Sequence, residues 1–420
     1  MKVATPLTAA TPRAQPAPGI AFGIAALLIP PVAVLVPLGL ALLLALLAAT
    51  LVAAEPHRAF AAARPYAALA GLLALLAGWA ALSALWSPIP GHSFLEGLRF
   101  LALSAAGLVV FAVALTLSAV ERRRAGYLLL AGIAIAIAVL QFELLTDGII
   151  ARHFHREGAT LYAWIARYDR GATMLLLVLW PAAALLWAER RRAALAVLVL
   201  ATAATILEYH SRATTVALAS SPVLAAISWR APRSLALGLT ALLLAIGLAL
   251  PLVAPAGAGI AYVQRSVPFV PDSGIHRLGI WRFSADRIAE RPLLGWGMDA
   301  ARAIPGGHTP VALLYPPVKL TPYAEALPLH PHDAPLQWRL ELGLPGLLLA
   351  SAAIGLALWR VATASGWPPW RRAAAFGYAG SALVIALVSF GIWQSWWLSA
   401  LWLGAAHMAS LGEPTECAAG

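Results

Sequence analysis

Cysteine and charge are what this chain has least of. Its one cysteine, Cys417, lies in a polar C-terminal stretch, which excludes an intrachain disulfide and a cysteine-based metal cage. Charged residues make up 11% of the 420 residues against 61% hydrophobic, and the mean hydropathy is +0.81. The apolar runs repeatedly reach the roughly 17–25 residues that cross a bilayer, so the expected fold class is an all-α polytopic integral membrane protein. A formal charge of +11 invites a nucleic-acid partner. The arginines, however, fall in short clusters between apolar runs, where membrane topology accounts for them, and no nucleic acid is expected. Residues 1–18, MKVATPLTAATPRAQPAP, lack a short apolar core followed by a cleavage site. A disordered cytoplasmic tail is expected there, with no signal peptide removed.

Marking the apolar runs and their breakers predicts about twelve spans, near 19–35, 37–54, 66–85, 96–118, 125–145, 171–188, 193–209, 212–229, 234–254, 335–359, 373–390 and 393–411. The first two come from one long run, interrupted by Pro30-Pro31 and by Pro37-Leu38-Gly39, which reads as a tight hairpin. The domain layout is then a tail (1–18), nine transmembrane helices (19–254), a long outer loop with amphipathic helices (255–334), three further transmembrane helices (335–411) and a second tail (412–420). HRAFAAAR (57–64), ERRR (121–124), ERRR (189–192), RAPR (230–233) and Arg371-Arg372 all fall on one side of this count. The positive-inside bias makes that side the cytoplasm, with both termini inside.

The other side keeps arginines against the bias. The loop at 86–95 has no Lys or Arg, but the loop at 146–170 carries Arg152, Arg156, Arg167 and Arg170, and the long loop carries seven basic and six acidic residues. An anionic ligand is the leading reason; for Arg152, Arg156 and Arg302, plain solvation is the simpler one. Arg212 lies in LEYHSRATTVALASS (207–221), which joins two apolar runs with almost no loop. An arginine there costs on the order of 2.5–3.5 kcal/mol at mid-bilayer and less near the interface, so it should face a wet or charged cavity, snorkel, or pair with Glu208. Arg170, in RYDRGATM, opens the sixth span in a similar way, with Asp169 beside it. DSGIHRLGIWRFSADRIAERPLLGWG (272–297) reads as an amphipathic helix with Asp272 or Ser273 as cap and Pro292 as stop. Leu278, Trp281, Ala285, Ile288 and Ala289 form its expected apolar stripe, with Arg277 and Arg282 flanking it and Arg287 turned to solvent.

HPHDAPLQWRLELGLPG (330–346) closes the outer loop. Three readings compete. His330, His332 and Asp333 offer at most three metal ligands, with no second cluster. Asp333 alone would cap the following helix. The third reading makes a histidine the general base: it titrates near neutrality, takes a proton from an attacking hydroxyl, and faces arginines suited to a diphosphate. That combination fits glycosyl transfer from a lipid diphosphate, with neither nucleotide nor metal required.

His332-Asp333, nine residues, Gly343, two residues and Gly346 resembles the H-[NSQ]-x9-G-x-x-[GTY] signature of bacterial O-antigen ligases and related lipid-linked polysaccharide polymerases. Asp333 stands where Asn, Ser or Gln is usual. A Ser-Arg-Gly/Ala element of that superfamily is matched by Ser211-Arg212-Ala213, and an R-x3-W…P-L-x-G-x-G element by Arg277, Trp281 and Pro292 to Gly297, with Arg282 close enough to compete for the arginine role. The resemblance covers roughly residues 165–350. It implies a multi-pass protein of a Gram-negative inner membrane with its site facing the periplasm. It also implies a glycosyltransferase that moves a glycan from undecaprenyl diphosphate to a sugar hydroxyl of lipid A–core among membrane lipids. His332 would be catalytic; Arg212, Arg277, Arg282, Arg170, His330 and Asp333 would bind diphosphate or substrate; no cofactor is expected. A chain of this length without a large appended soluble domain favours a ligase, and an O-antigen or exopolysaccharide polymerase using the same donor is the alternative. A transporter or flippase is a third class, to be tested by internal repeats between 1–210 and 211–420.

Overall fold

The computed structural model describes residues 17–154, 165 and 167–411. Most of the first expected tail, all of the second, Cys417 and Arg156 lie outside the described residues. Within them the protein is almost wholly helical, and the one extended pairing is an isolated bridge between Pro310 and Glu325. Each of the twelve apolar runs is a helix: α1 (Ala17–Leu35), α2 (Gly39–Ala54), α3 (Ala67–Leu82), α4 (Pro90–Ala114), α5 (Ala119–Leu145), α6 (Asp169–Ala188), α7 (Arg192–Glu208), α8 (Arg212–Arg230), α9 (Pro232–Val253), and, after α10 (Gly257–Ser266) and α11 (Asp272–Glu290), α12 (Ala334–Thr363), α13 (Pro369–Val388) and α14 (Ser395–Ser410). Helix is the local structure that hydrocarbon demands, because it satisfies every amide inside its own segment. Among the described residues, eight helical stretches are long and apolar enough to cross a membrane, and α2, at 16 residues, is a shorter apolar helix. The first hairpin turns at Val36–Leu38, and α1 runs straight through Pro30 and Pro31.

Neighbouring helices pack in pairs: α1 on α5, α8 on α13, α9 on α12 and α4 on α14. Of the candidate spans, α6 is the most enclosed and α9 the least, with Leu237, Leu242 and Leu248 on its exposed face. The segment between α9 and α12 builds a second core from Ile275, Ile280, Phe283 and Ile304, which closes on Leu336 and Leu340 at the start of α12. The start of α11 differs in detail from the sequence expectation. It is preceded by Pro271, so Asp272 sits in its first turn, where a negative charge is favourable to the helix dipole. The buried face is Ile275, Gly279, Ile280, Phe283, Ala285 and Ile288, while Ala289 is exposed.

α12 is two helices merged across a kink at Gly343, whose φ of 64° and ψ of −157° are open essentially only to glycine. The reason is a close approach. A Cβ at Gly343 would run into the Leu293 carbonyl, and one at Gly295 would stand 2.5 Å from the Glu341 carbonyl oxygen. The PLLGWG turn and the glycine of the kink are thus shaped to fit each other, and the broken backbone is satisfied by protein: Leu344 N–H donates to Leu293 O at 3.1 Å, and the Trp79 indole donates to Leu342 O at 2.8 Å. One end of the bundle therefore collects the starts of α6, α8 and α12, the end of α9, and the turn joining α13 to α14. The clusters Arg122–Arg124, Arg190–Arg192, Arg230, Arg233, Arg371 and Arg372 lie at the opposite helix ends.

Candidate active site

The loop 330–333 is held in an unusual backbone shape. His332 has φ +57°, a left-handed conformation that His, Asn and Asp enter more readily than most residues. The Trp281 indole N–H, projecting from α11, donates to the Pro331 carbonyl at 3.1 Å. His330 Nδ1 accepts the His332 backbone N–H at 3.2 Å, and the two rings lie tilted at 58° with centroids 4.2 Å apart. His332 Nδ1 lies 2.6 Å from the Ser389 carbonyl oxygen in the α13–α14 turn.

These contacts assign the protons. A carbonyl only accepts, so His332 carries its hydrogen on Nδ1 and leaves a lone pair on Nε2; His330, which accepts at Nδ1, carries its hydrogen on Nε2. The two neighbouring histidines are therefore opposite tautomers, and His332 is the one that offers a basic Nε2. Burial pushes both pKa values down. For His330 the neighbouring His332, Arg302 and Arg277 add to burial; for His332 the Ser389 carbonyl opposes it, while Arg277 and His276 add to it. Both rings are neutral at pH 7. Asp333 turns the other way: its Oδ1 accepts the Leu336 N–H at 2.8 Å and caps α12, and burial raises its pKa.

The arginines divide sharply. Arg277, partly buried on α11, has no hydrogen-bond or ion-pair partner among the described residues. Burial and the charge of Arg212 both push its pKa down, and Asp169 partly offsets them. Arg212 is exposed and donates to Ser273 Oγ at 3.0 Å; Glu208 is taken instead by the Gln141 amide at 2.6 Å. Asp169 accepts from Ser211 Oγ, and Arg170 lies 5.4 Å from the Trp396 ring centroid. Arg282 points elsewhere: it pairs with Asp286, which also accepts the Tyr315 hydroxyl at 3.2 Å. The structure thus gathers Arg212, Arg277, His330 and His332, with Arg170 at the border, and leaves Arg282 engaged. Arg302, for which solvation was the simpler expectation, is exposed, yet its charge reaches His330. A half-buried guanidinium beside another cation is costly until an anion arrives, and a diphosphate carries the charge and oxygen geometry to relieve both.

Sequence reasoning passed over a second group. His92, Glu96 and Asp299 bring ligand atoms within 4.8 Å of one another, the one such set of three among the described residues. His92 Nε2 already contacts Asp299 at 2.8 Å, and Glu96 pairs with Arg99. The signal was present, since His92 and Glu96 are four apart on α4 and Asp299 ends PLLGWGMD. His330, His332 and Asp333 form no such set, because the Asp333 carboxylate faces its own helix.

A polytopic helical membrane protein that gathers unpaired arginine and a neutral histidine at one end of its bundle defines the class. Residues 196–351 match the family profile described as O-antigen ligase. Over 134 residues the chain is 35% identical to a provisionally named polysaccharide ligase of Rickettsia conorii and 37% identical to one of Rickettsia prowazekii, covering 31% of this chain and 30% and 31% of those proteins. A provisionally named polysaccharide ligase of Rickettsia typhi is 36% identical over the same length. The match spans under a third of each relative. Residues 196–351 of the chain thus resemble the O-antigen ligase family.

Proposed function

We propose that this protein is an O-antigen ligase of a Gram-negative inner membrane. It transfers glycan from undecaprenyl diphosphate to a sugar hydroxyl of lipid A–core, with His332 as general base and arginines holding the diphosphate. The observation that carries this reading is the pairing of an uncommitted Nε2 on His332 with an unpartnered Arg277 whose charge reaches it. The acceptor hydroxyl gives its proton to Nε2 as its oxygen bonds to the anomeric carbon. The bond from that carbon to the diphosphate breaks, and the departing charge stays on oxygens facing Arg277 and Arg212. Arg277 is the R-x3-W arginine in this reading, because Arg282 is occupied by Asp286. Bound diphosphate also offsets the positive field on His332 and so strengthens the base when the donor is in place. The twelve-span layout, with the site and residues 255–334 on the periplasmic side and both termini in the cytoplasm, belongs to the same proposal. It follows from the arginine clusters at the opposite helix ends.

Deletion of the gene tests the reaction. A ligase defect removes long-chain lipopolysaccharide while lipid-linked polymer accumulates; a polymerase defect leaves single repeats instead. Reporter fusions at Arg123, Arg191 and Arg371 should read cytoplasm and one at Pro310 periplasm, and a cytoplasmic signal at Pro310 overturns the site.

A further inference from the structure

Beneath the histidines, the first turns of α12 carry two buried polar side chains that the reaction above does not use. Gln337 and Glu341 are 1% and 0% exposed, and a carboxyl removed from water is costly unless its oxygens are hydrogen-bonded. Glu341 Oε2 accepts the Trp393 indole N–H at 2.5 Å and the Asp299 backbone N–H at 3.0 Å, and its Oε1 accepts the Gln337 amide at 3.2 Å. Gln337 Oε1 in turn accepts the Ile392 backbone N–H at 3.0 Å. The main chain adds Trp296 N–H to the Leu340 carbonyl at 3.0 Å and Gly297 N–H to the Glu341 carbonyl at 2.7 Å.

The donors of Trp393, Asp299, Gln337 and Gly297 all run to Glu341, and the Ile392 N–H reaches it through Gln337. Two otherwise separate pieces, the 296–299 turn and the 389–394 turn, are tied to one carboxyl. The second piece matters for the chemistry: it supplies the Ser389 carbonyl that takes the His332 Nδ1 hydrogen, and a Cβ on its Gly391 would come within 2.8 Å of the His330 ring. We propose that Glu341, acting with Gln337, is the positioning residue that fixes the tautomer and aim of His332 through the 389–394 turn. This rests on the reading of His332 as the base. Glu341 touches no reacting atom, and its effect passes through Ile392, Trp393 and the Ser389 carbonyl.

The direction of the hydrogen bonds gives the test. In Glu341→Gln one acceptor becomes an NH2 group that meets either the Gln337 amide or the donors of Trp393 and Asp299, and rotating Gln337 only moves the conflict to Ile392. Exchanging the two groups, Gln337→Glu together with Glu341→Gln, restores a donor for every acceptor: the carboxylate at 337 accepts from Ile392 and from the amide at 341, whose oxygen accepts from Trp393 and Asp299.

The experiment uses the full chain in proteoliposomes with a lipid-linked donor and lipid A–core acceptor, after each variant has given a single size-exclusion peak and a cooperative melt. Glu341→Gln should lower kcat by about 10²-fold, the order expected for a misplaced catalytic group, with donor KM changed by less than about threefold. The exchange should recover most of that rate. Placed on His332→Ala, Glu341→Gln should cost nothing further, because both losses run through one ring. Additive losses, a parallel rise in donor KM, or an exchange variant no faster than Glu341→Gln overturns the proposal. A Glu341→Gln protein that fails to fold, beside an exchange variant that folds but stays inactive, overturns it too. Full activity of His332→Ala is a different result: it removes the base itself and is read separately from the exchange.

Discussion

At the end of the bundle away from the histidines, Arg123 and Arg191 share Glu189 at 2.8 and 3.1 Å, and Arg371 and Arg372 donate to the carbonyls of Ala409 and Ala364. Arg124, Arg230 and Arg233, in the same region, are exposed. At the histidine end, Arg277 is partly buried and unpartnered among the described residues, with Arg212 as its cationic neighbour. The side chain is the same and its circumstances are opposite. Guanidinium groups that are paired or wet fit the arginine pattern of a membrane topology; one that is neither is the place where, in the function proposed above, an anionic ligand would bind. α11 repeats the contrast within five residues, since Arg282 has Asp286 and Arg277 has no hydrogen-bond or ion-pair partner among the described residues.

The strongest way to break this comparison is to remove the unpaired cations. Arg277→Ala and Arg212→Ala should abolish measurable transfer, a loss of at least about 10³-fold, and Lys at either position should restore little because a point charge does not reproduce a planar fork. Arg282→Ala should keep most of the rate. Near-native activity with Lys shows that charge alone suffices, and equal losses at Arg277 and Arg282 erase the distinction between them.

His332→Ala comes next, with an expected loss of roughly 10²–10⁴ in kcat and donor binding largely intact, measured by pre-steady-state transfer and by donor titration. His330→Ala should cost much less, because its tautomer presents a hydrogen where a base needs a lone pair. Equal losses at the two histidines point to a paired role, and lost donor binding in His332→Ala points to a phosphate contact.

Acid pH should sharpen the same contrast more gently. Burial and Arg277 lower the His332 pKa, so the acid limb of kcat/KM should lie below the ordinary imidazole value of about 6.5. The limb of kcat, with diphosphate bound and Arg277 neutralised, should lie at higher pH. The sign for stability is the same: the unfolded chain takes up the proton at higher pH than the folded one. The folded state therefore holds this contribution above the unfolded pKa and loses it as pH falls through the depressed folded value. A kcat limb below that of kcat/KM excludes tuning by the donor.

Asp333→Asn should change the rate only a few-fold, because asparagine caps a helix about as well as aspartate; Asp333→Ala should cost about 1 kcal/mol of stability, read from thermal melts. A collapse of rate in Asp333→Asn shows that the carboxylate is part of the base. Arg191→Ala, at the opposite end, should leave transfer within about twofold.

The apolar helices were legible because crossing hydrocarbon imposes a continuous apolar run, and that demand is written locally. His332, Arg212 and the motif glycines were legible through the resemblance, though what the glycines are for was not: Gly343 is explained by the Leu293 carbonyl, fifty residues earlier in the chain. The choice between Arg277 and Arg282 was not legible at all. Both flank the stripe of α11, and a helical wheel treats them alike; what separates them is the Asp286 and Tyr315 arrangement on one side and Arg212 arriving from α8 on the other.

The sequence by itself determined the membrane class, the helices, the arginine clusters at one set of helix ends and the candidate base. These depend on composition and short-range spacing, which fix how each segment meets lipid and water. Only the tertiary structure decided which arginine is left without a partner, which nitrogen of His332 bears the hydrogen and what Glu341 holds. Ser389 lies 57 residues from His332, and Trp393 lies 52 from Glu341. A hydrogen bond needs its atoms within about 3 Å in one orientation, and no local pattern in the chain records which distant backbone will arrive there.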